Sequence, residues 1–184
     1  MRVSSIFGHR ASREPQRRAM TGAGWLAIMV VSGALLTRAP QVLINTTASE
    51  PRGLYLKTGD DPGAGRLVAF PAPPAAFPYA DRRLAYLHRT PLLKAVAAAP
   101  GDQVCTLNGQ LAIGGQVRAR IVQRDRYGIA LPHWKGCRRL APDELFVFSD
   151  RVPNSFDSRY FGPIHRGSVL GVYAPLVVLA AGDR

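Results

Sequence analysis

Nineteen consecutive residues without a charged side chain, Ala19–Thr37, divide this chain before any other feature is weighed. At 1.5 Å per residue a helix of that length nearly matches the roughly 30 Å core of a bilayer, so the run is expected to be a transmembrane helix. Arg2, Arg10, Arg13, Arg17 and Arg18 against the single Glu14 crowd its N-terminal side, and only Arg38 follows closely. That asymmetry puts the basic flank, residues 1–18, in the cytoplasm and residues 38–184 outside it. A cleaved signal peptide with its apolar region over Trp25–Leu36 is the rival reading, but the residues after it lack a clean small-x-small cleavage site.

Residues 38–184 suit one domain of ordinary size and leave no room for two. Apolar residues at 47% supply a core, and 18 glycines with 15 prolines exceed ordinary usage without reaching the level of disorder. Short strands joined by turns are the expectation. The net charge of +12 admits a nucleic acid, an anionic membrane surface or an acidic substrate as partner. The flank carries five arginines against one glutamate, and the rest of the charge is spread with no basic helix or aromatic-interleaved strand. It reads as a solvated surface, and no nucleic acid is expected.

Cys105 and Cys137 do not form a CxxC pair, and the four histidines are scattered, so neither a metal nor a cofactor is expected. In an exported domain a disulfide between them contributes about 3 kcal/mol through loop closure; in a reducing compartment they are two small core residues.

The apolar run Val42–Ile44 reads as a strand leaving the membrane, and Gly53–Leu56 and Arg66–Phe70 as two more, with a Gly-, Asp- and Pro-rich turn over residues 58–65 between them. Residues 71–78 hold too many prolines for a helix, and Asp81–Arg89 has the apolar spacing of a short surface helix ended by Pro91. Asn108-Gly109 between Val104–Leu107 and Leu111–Ile113 is a type I′ hairpin signal, because that turn needs positive φ at both positions. Further strands are expected at Val117–Val122, Glu144–Phe148 and Val169–Tyr173, the last stopping before Pro175. The domain is therefore mostly β, and the apolar tail to Ala181 is too short for a second span.

Nucleophile elbows, Walker loops, zinc-protease helices and dinucleotide fingerprints are all missing from the sequence. Lys57-Thr58-Gly59 matches one β-lactamase fragment, but no SxxK exists for it to serve, and Asn45-Thr46-Thr47 matches the glycosylation acceptor pattern. Lys94 is more informative, since it lies within Leu92–Ala99, otherwise entirely apolar. On a core strand it is desolvated, which disfavours its charge and suits a general base; at an edge it snorkels to water.

Ser49-Glu50-Pro51-Arg52-Gly53 resembles the serine box of the Ser/Lys signal peptidases, and Lys94 to Asp102 resembles their lysine box. Asn154 to Gly162 is similar to their last box and Gly65–Phe70 to the strand box between, in the family's order. The SxPxGLY pattern, lacking the methionine that leader peptidases carry after the serine, is nearest to the conjugative-transfer, TraF-type branch. The resemblance implies a signal-peptidase-like (LexA-type) β fold behind one N-terminal transmembrane helix.

It also implies Ser49 as nucleophile, Lys94 as its base, and Thr47 with the Ser49 amide as oxyanion donors. Ser155 corresponds to the serine that contacts the lysine, and Asp157 and Arg159 to a supporting ion pair. The implied activity is a membrane-anchored serine endopeptidase, periplasmic beyond its anchor in the bacterial inner membrane, acting through an acyl-enzyme on a membrane-bound pilin precursor. Water as second nucleophile gives hydrolysis and the substrate's own amine gives cyclisation. A general signal peptidase acting on many preproteins, and a non-catalytic pilus-assembly subunit, are the alternatives.

Overall fold

The computed structural model describes residues 40–179. The expected transmembrane helix over residues 19–37 and its basic flank lie outside the described residues. Turn chemistry segments the chain as the glycines and prolines suggest. Strands β1 (Val42–Asn45) and β2 (Gly53–Thr58) pair antiparallel, and the loop joining them carries Ser49. Strand β3 (Leu67–Phe70) is followed by a 3₁₀ turn at Pro74–Ala76, helix α1 (Tyr79–Arg83) and a second 3₁₀ turn at Ala85–His88. Then come β4 (Leu92–Ala98), β5 (Gln103–Leu107), β6 (Gln110–Ile113) and β7 (Gln116–Arg120). The chain continues through β8 (Cys137–Arg139), β9 (Glu144–Val147), α2 (Ser158–Phe161), β10 (Ile164–His165) and β11 (Gly171–Val178).

Two sheets result, both antiparallel. The larger has the order β1-β2-β11-β3-β4-β9-β10 and the smaller β7-β6-β5-β8. Asn108 at φ 51° and Gly109 at φ 71° close the β5–β6 hairpin with the left-handed turn expected of that dipeptide. Cys105 faces Cys137 in the β5–β8 register, and the two are joined in a disulfide.

The core follows the period-2 alternation of the strands. Val68, Phe70, Leu92, Val96, Leu145 and Val147 pack together in the largest cluster, while Tyr55, Ala69 and Tyr173 form another. A third, with Ala98, Val104, Leu111 and Phe146, joins the small sheet to the large one. Each large side chain so buried stabilises the fold by roughly 1.5–3 kcal/mol. On β4 the alternation buries Leu92, Lys94, Val96 and Ala98 alike, so Lys94 is a core residue of a central strand and not a snorkelling edge lysine.

Three local expectations need correction. Residues 71–78 are not free of helix: Pro74–Ala76 makes a 3₁₀ turn, which needs only the bonds from Ala76 N to Pro73 O (2.9 Å) and Phe77 N to Pro74 O (3.0 Å). The helix expected over Asp81–Arg89 breaks at Leu84, whose φ of −138° is not helical, although Leu87 on its apolar edge is buried. The last strand runs through Pro175 to Val178: its pairing with β3 ends at Tyr173, so beyond that point only β2 flanks it, and its register with β2 shifts between Pro175 and Val177. Among the described residues no helix is long and apolar enough to cross a membrane.

Candidate active site

Asn45, the last residue of β1, ties the following loop into one shape. Its Nδ2 donates to the carbonyls of Thr47 (3.0 Å), Glu50 (2.9 Å) and Pro51 (2.9 Å), and its Oδ1 accepts from Thr47 N (3.1 Å) and Thr47 Oγ1 (2.8 Å). With both ends of the amide committed and the residue buried, Asn45 is a structural staple and not an exposed glycan acceptor. Tyr55 Oη adds a bond to Pro51 O (2.5 Å), and Ser149 Oγ donates to the Ser49 carbonyl. Ser49 is thus held on a loop whose carbonyls are bonded from three sides, by Asn45, Tyr55 and Ser149.

Thr47, Ser49 and Lys94 line one cavity of about 370 Å³, whose apolar wall includes Leu43, Ile44, Leu87 and Leu93. Thr47 Oγ1 lies 3.4 Å from Ser49 Oγ. The Thr47 proton points at Asn45, so an oxyanion-donor role requires that hydroxyl to turn. Lys94 is 3% exposed and donates from Nζ to Ser155 Oγ at 3.0 Å. Burial pulls its pKa down to about 8; Asp157 and Glu50 oppose that shift and Arg159 adds to it. A substantial neutral fraction near neutral pH is what a general base needs.

Asp157 and Arg159 stand behind this pair. Asp157 caps α2, accepting from Arg159 N, and binds the same side chain through Nε (2.8 Å) and Nη2 (2.9 Å). Arg159 Nη2 also donates to the Ser155 carbonyl (2.9 Å), and Nη1 reaches the carbonyls of Arg120 (3.2 Å) and Pro153 (3.4 Å). Both residues are essentially unexposed, so the ion pair fixes the backbone that presents Ser155 to Lys94. Cys105 and Cys137 belong to the small sheet and line no part of the cavity. Lys57 is spent on the Leu170 carbonyl at 2.7 Å, a structural bond that accounts for the Lys57-Thr58-Gly59 fragment.

Glu50 was not singled out by sequence reasoning. It is buried, its Oε1 accepts from Ala95 N at 3.1 Å, and it is near enough to Lys94 to interact electrostatically. Burial raises its pKa above the ordinary carboxylate range, while the Ala95 N–H and Lys94 pull the other way. The only available signal was an acid directly after Ser49. Asn45 and Ser149 were missed as well, since nothing periodic distinguishes a polar residue that bonds only to backbone. Among the described residues no group of His, Cys, Asp or Glu side chains suits a metal.

Comparison with known proteins follows the same line as these boxes. The family model described as signal peptidase, peptidase S26, matches residues 22–177. The chain is 29% identical over 165 residues to a plasmid transfer protein TraF of Escherichia coli, covering 84% of this chain and 91% of that one. It is 33% identical over 168 residues to the conjugal transfer protein TraF of Agrobacterium tumefaciens (strain 15955), covering 85% and 92%. A crystal structure of a signal peptidase I from Enterococcus faecalis V583 overlaps 62% of this chain and 98% of its own at 21% identity, with a TM-score of 0.37.

Proposed function

Because this chain belongs to the peptidase S26 family of signal peptidases, with TraF proteins among its relatives, we propose that it is a membrane-anchored serine endopeptidase of conjugative transfer that processes a pilin precursor. The observation that carries this reading is the buried Lys94, with its pKa lowered to about 8, lining the same cavity as Ser49. Neutral Lys94 takes the Ser49 proton as Ser49 Oγ adds to the scissile carbonyl. The Ser49 amide and the turned Thr47 hydroxyl receive the oxyanion. Collapse of the tetrahedral adduct breaks the C–N bond, the lysine proton leaves with the amine, and an acyl-Ser49 ester remains. Water or the substrate's own amine then releases the acyl group.

Ser155 orients the lysine, and the Asp157–Arg159 pair holds Ser155. The membrane setting rests on the uncharged run at residues 19–37 and on apolar side chains exposed along the β1–β2–β11 edge. Val42, Ile44 and Leu176–Leu179 stand at that edge, and Ile44 also lines the cavity. An inner-membrane anchor with a periplasmic domain sets the site beside a membrane-borne substrate. The relatives' names, plasmid transfer and conjugal transfer, support conjugation as the setting.

The test is to incubate wild type, Ser49→Ala and Lys94→Ala with membranes containing the candidate pilin and to follow it by mass spectrometry. Loss of processing in both variants is expected, and normal processing by either sinks the mechanism. A product one water lighter than the cleaved linear peptide identifies cyclisation.

A further inference from the structure

A second cavity of about 340 Å³ adjoins the first, with Leu84, Asn154 and Phe156 lining both, so it lies within reach of a polypeptide bound in the first. Its walls differ in kind. Arg83, Arg124 and Arg126 line it together with Tyr79, Tyr127 and Tyr160, and Asp125 is the single acid. That acid is already spent: its carboxylate takes the Tyr79 hydroxyl (3.2 Å), Arg83 Nε (3.3 Å) and the backbone N–H groups of Tyr127 and Ile129 (both 2.9 Å).

Arg83 lies over the Tyr127 ring at 3.9 Å and Arg126 over the same ring at 4.8 Å. Arg124 donates to the Gly128 carbonyl at 2.7 Å. Among the described residues neither Arg124 nor Arg126 forms an ion pair. The cavity therefore presents two guanidinium groups without a carboxylate, beside an aromatic wall, next to the cavity that Ser49 lines. Tyr160 adds a buried hydroxyl beside the Val122 backbone.

We propose that this second cavity is a substrate subsite that accepts an acidic side chain or terminal carboxylate of the polypeptide whose scissile bond lies at Ser49. The proposal rests on the peptidase reading for the nature of the occupant. Guanidinium groups take carboxylates through paired, charge-assisted hydrogen bonds, whose fork geometry adds specificity that a point charge lacks. A carboxylate here also completes the charge balance that Asp125 cannot. The subsite discriminates by position along the substrate, which a diffuse positive surface does not.

Full-length Ser49→Ala protein in detergent tests it by fluorescence anisotropy. The probes are three short labelled peptides of alanine and serine: one with a glutamate pair at its N-terminal end, one with the pair at its C-terminal end, and one with glutamines instead. One glutamate peptide is expected to bind about tenfold tighter than the glutamine peptide, and the other not. Arg124→Gln and Arg126→Gln, both at exposed positions remote from the core, are each expected to remove most of that preference while leaving thermal unfolding unchanged.

Equal gains for both glutamate peptides mean general attraction to a basic chain and overturn the proposal. A preference surviving in both arginine variants overturns it too. Stronger, arginine-dependent binding of a labelled oligothymidylate assigns the cavity to nucleic acid and overturns it as well. Binding needs no nucleophile, so the two readings fail separately. Pilin processed normally by Ser49→Ala, with the arginine-dependent preference intact, removes the peptidase reading alone; equal binding of all three peptides, with pilin still processed only by wild type, removes the subsite alone.

Discussion

At the scale of single residues, Lys94 is a lysine buried in a core strand at a cost. A pKa of about 8 in place of 10.5 means that its buried ammonium costs about 3 kcal/mol at neutral pH. Between pH 8 and 10.5 the unfolded chain binds the lysine proton and the folded one does not, so stability from this group rises with pH across that window. Below pH 8 the full cost is present. Lys94→Met is accordingly expected to raise denaturant stability at pH 7 by up to about 3 kcal/mol while abolishing cleavage. In wild type, kcat/KM is expected to climb through about pH 8 and level off above it; a pH profile flat from 6 to 9 contradicts the lysine as base. Arg159→Ala leaves Asp157 buried and unpaired and is expected to cost about 3–5 kcal/mol in urea unfolding, with Ser155 released from its position. Lys94 was legible as an oddity in an apolar run. Glu50 was not, because what distinguishes it is a bond to Ala95 N across 45 residues of sequence, which no local pattern encodes.

Among the elements, the insertion of β11 between β2 and β3 governs how the Ser49 loop is backed. At Gly53 the chain enters β2 with φ 155°, and a Cβ there collides with the Val177 carbonyl of β11. Gly53→Ala is therefore expected to cost about 3 kcal/mol and to lower activity through the adjoining Ser49 loop, read as a lower thermal midpoint and a lower kcat together. The β5–β6 hairpin, β3 and β9 were readable from short apolar runs and from the Asn108-Gly109 turn, which act over a few residues, whereas β4 showed only as an apolar run around Lys94. Strands β8 and β10 were not: three residues, Cys137–Arg139, and two, Ile164–His165, are too short to show a period, and partners far along the chain define them. Pro175 misled for a related reason. A proline ends a strand by local rules, and what admits it is that β3 no longer pairs with β11 beyond Tyr173, a fact of strand packing.

On the scale of the whole molecule, the disulfide braces the small sheet against the segment that crosses from β7 to β8. Cys105 and Cys137 lie 32 residues apart in sequence, and the bond is expected to contribute about 3 kcal/mol by restricting the unfolded chain. The reduced protein should unfold at correspondingly lower denaturant, and the denatured non-reduced protein should offer no thiol to an alkylating reagent. Its sequence alone determined that this is a mostly β domain behind an uncharged run, and which short boxes carry a serine, a lysine and an acid–arginine pair. Those are properties of neighbouring residues, written in periodicity, turn chemistry and motif. Only the tertiary structure decided that Lys94 faces the core, that Ser155 meets it from 61 residues away, and that a second, arginine-lined cavity adjoins the first. Strand order sets such meetings, and strand order depends on how distant segments bury their faces together.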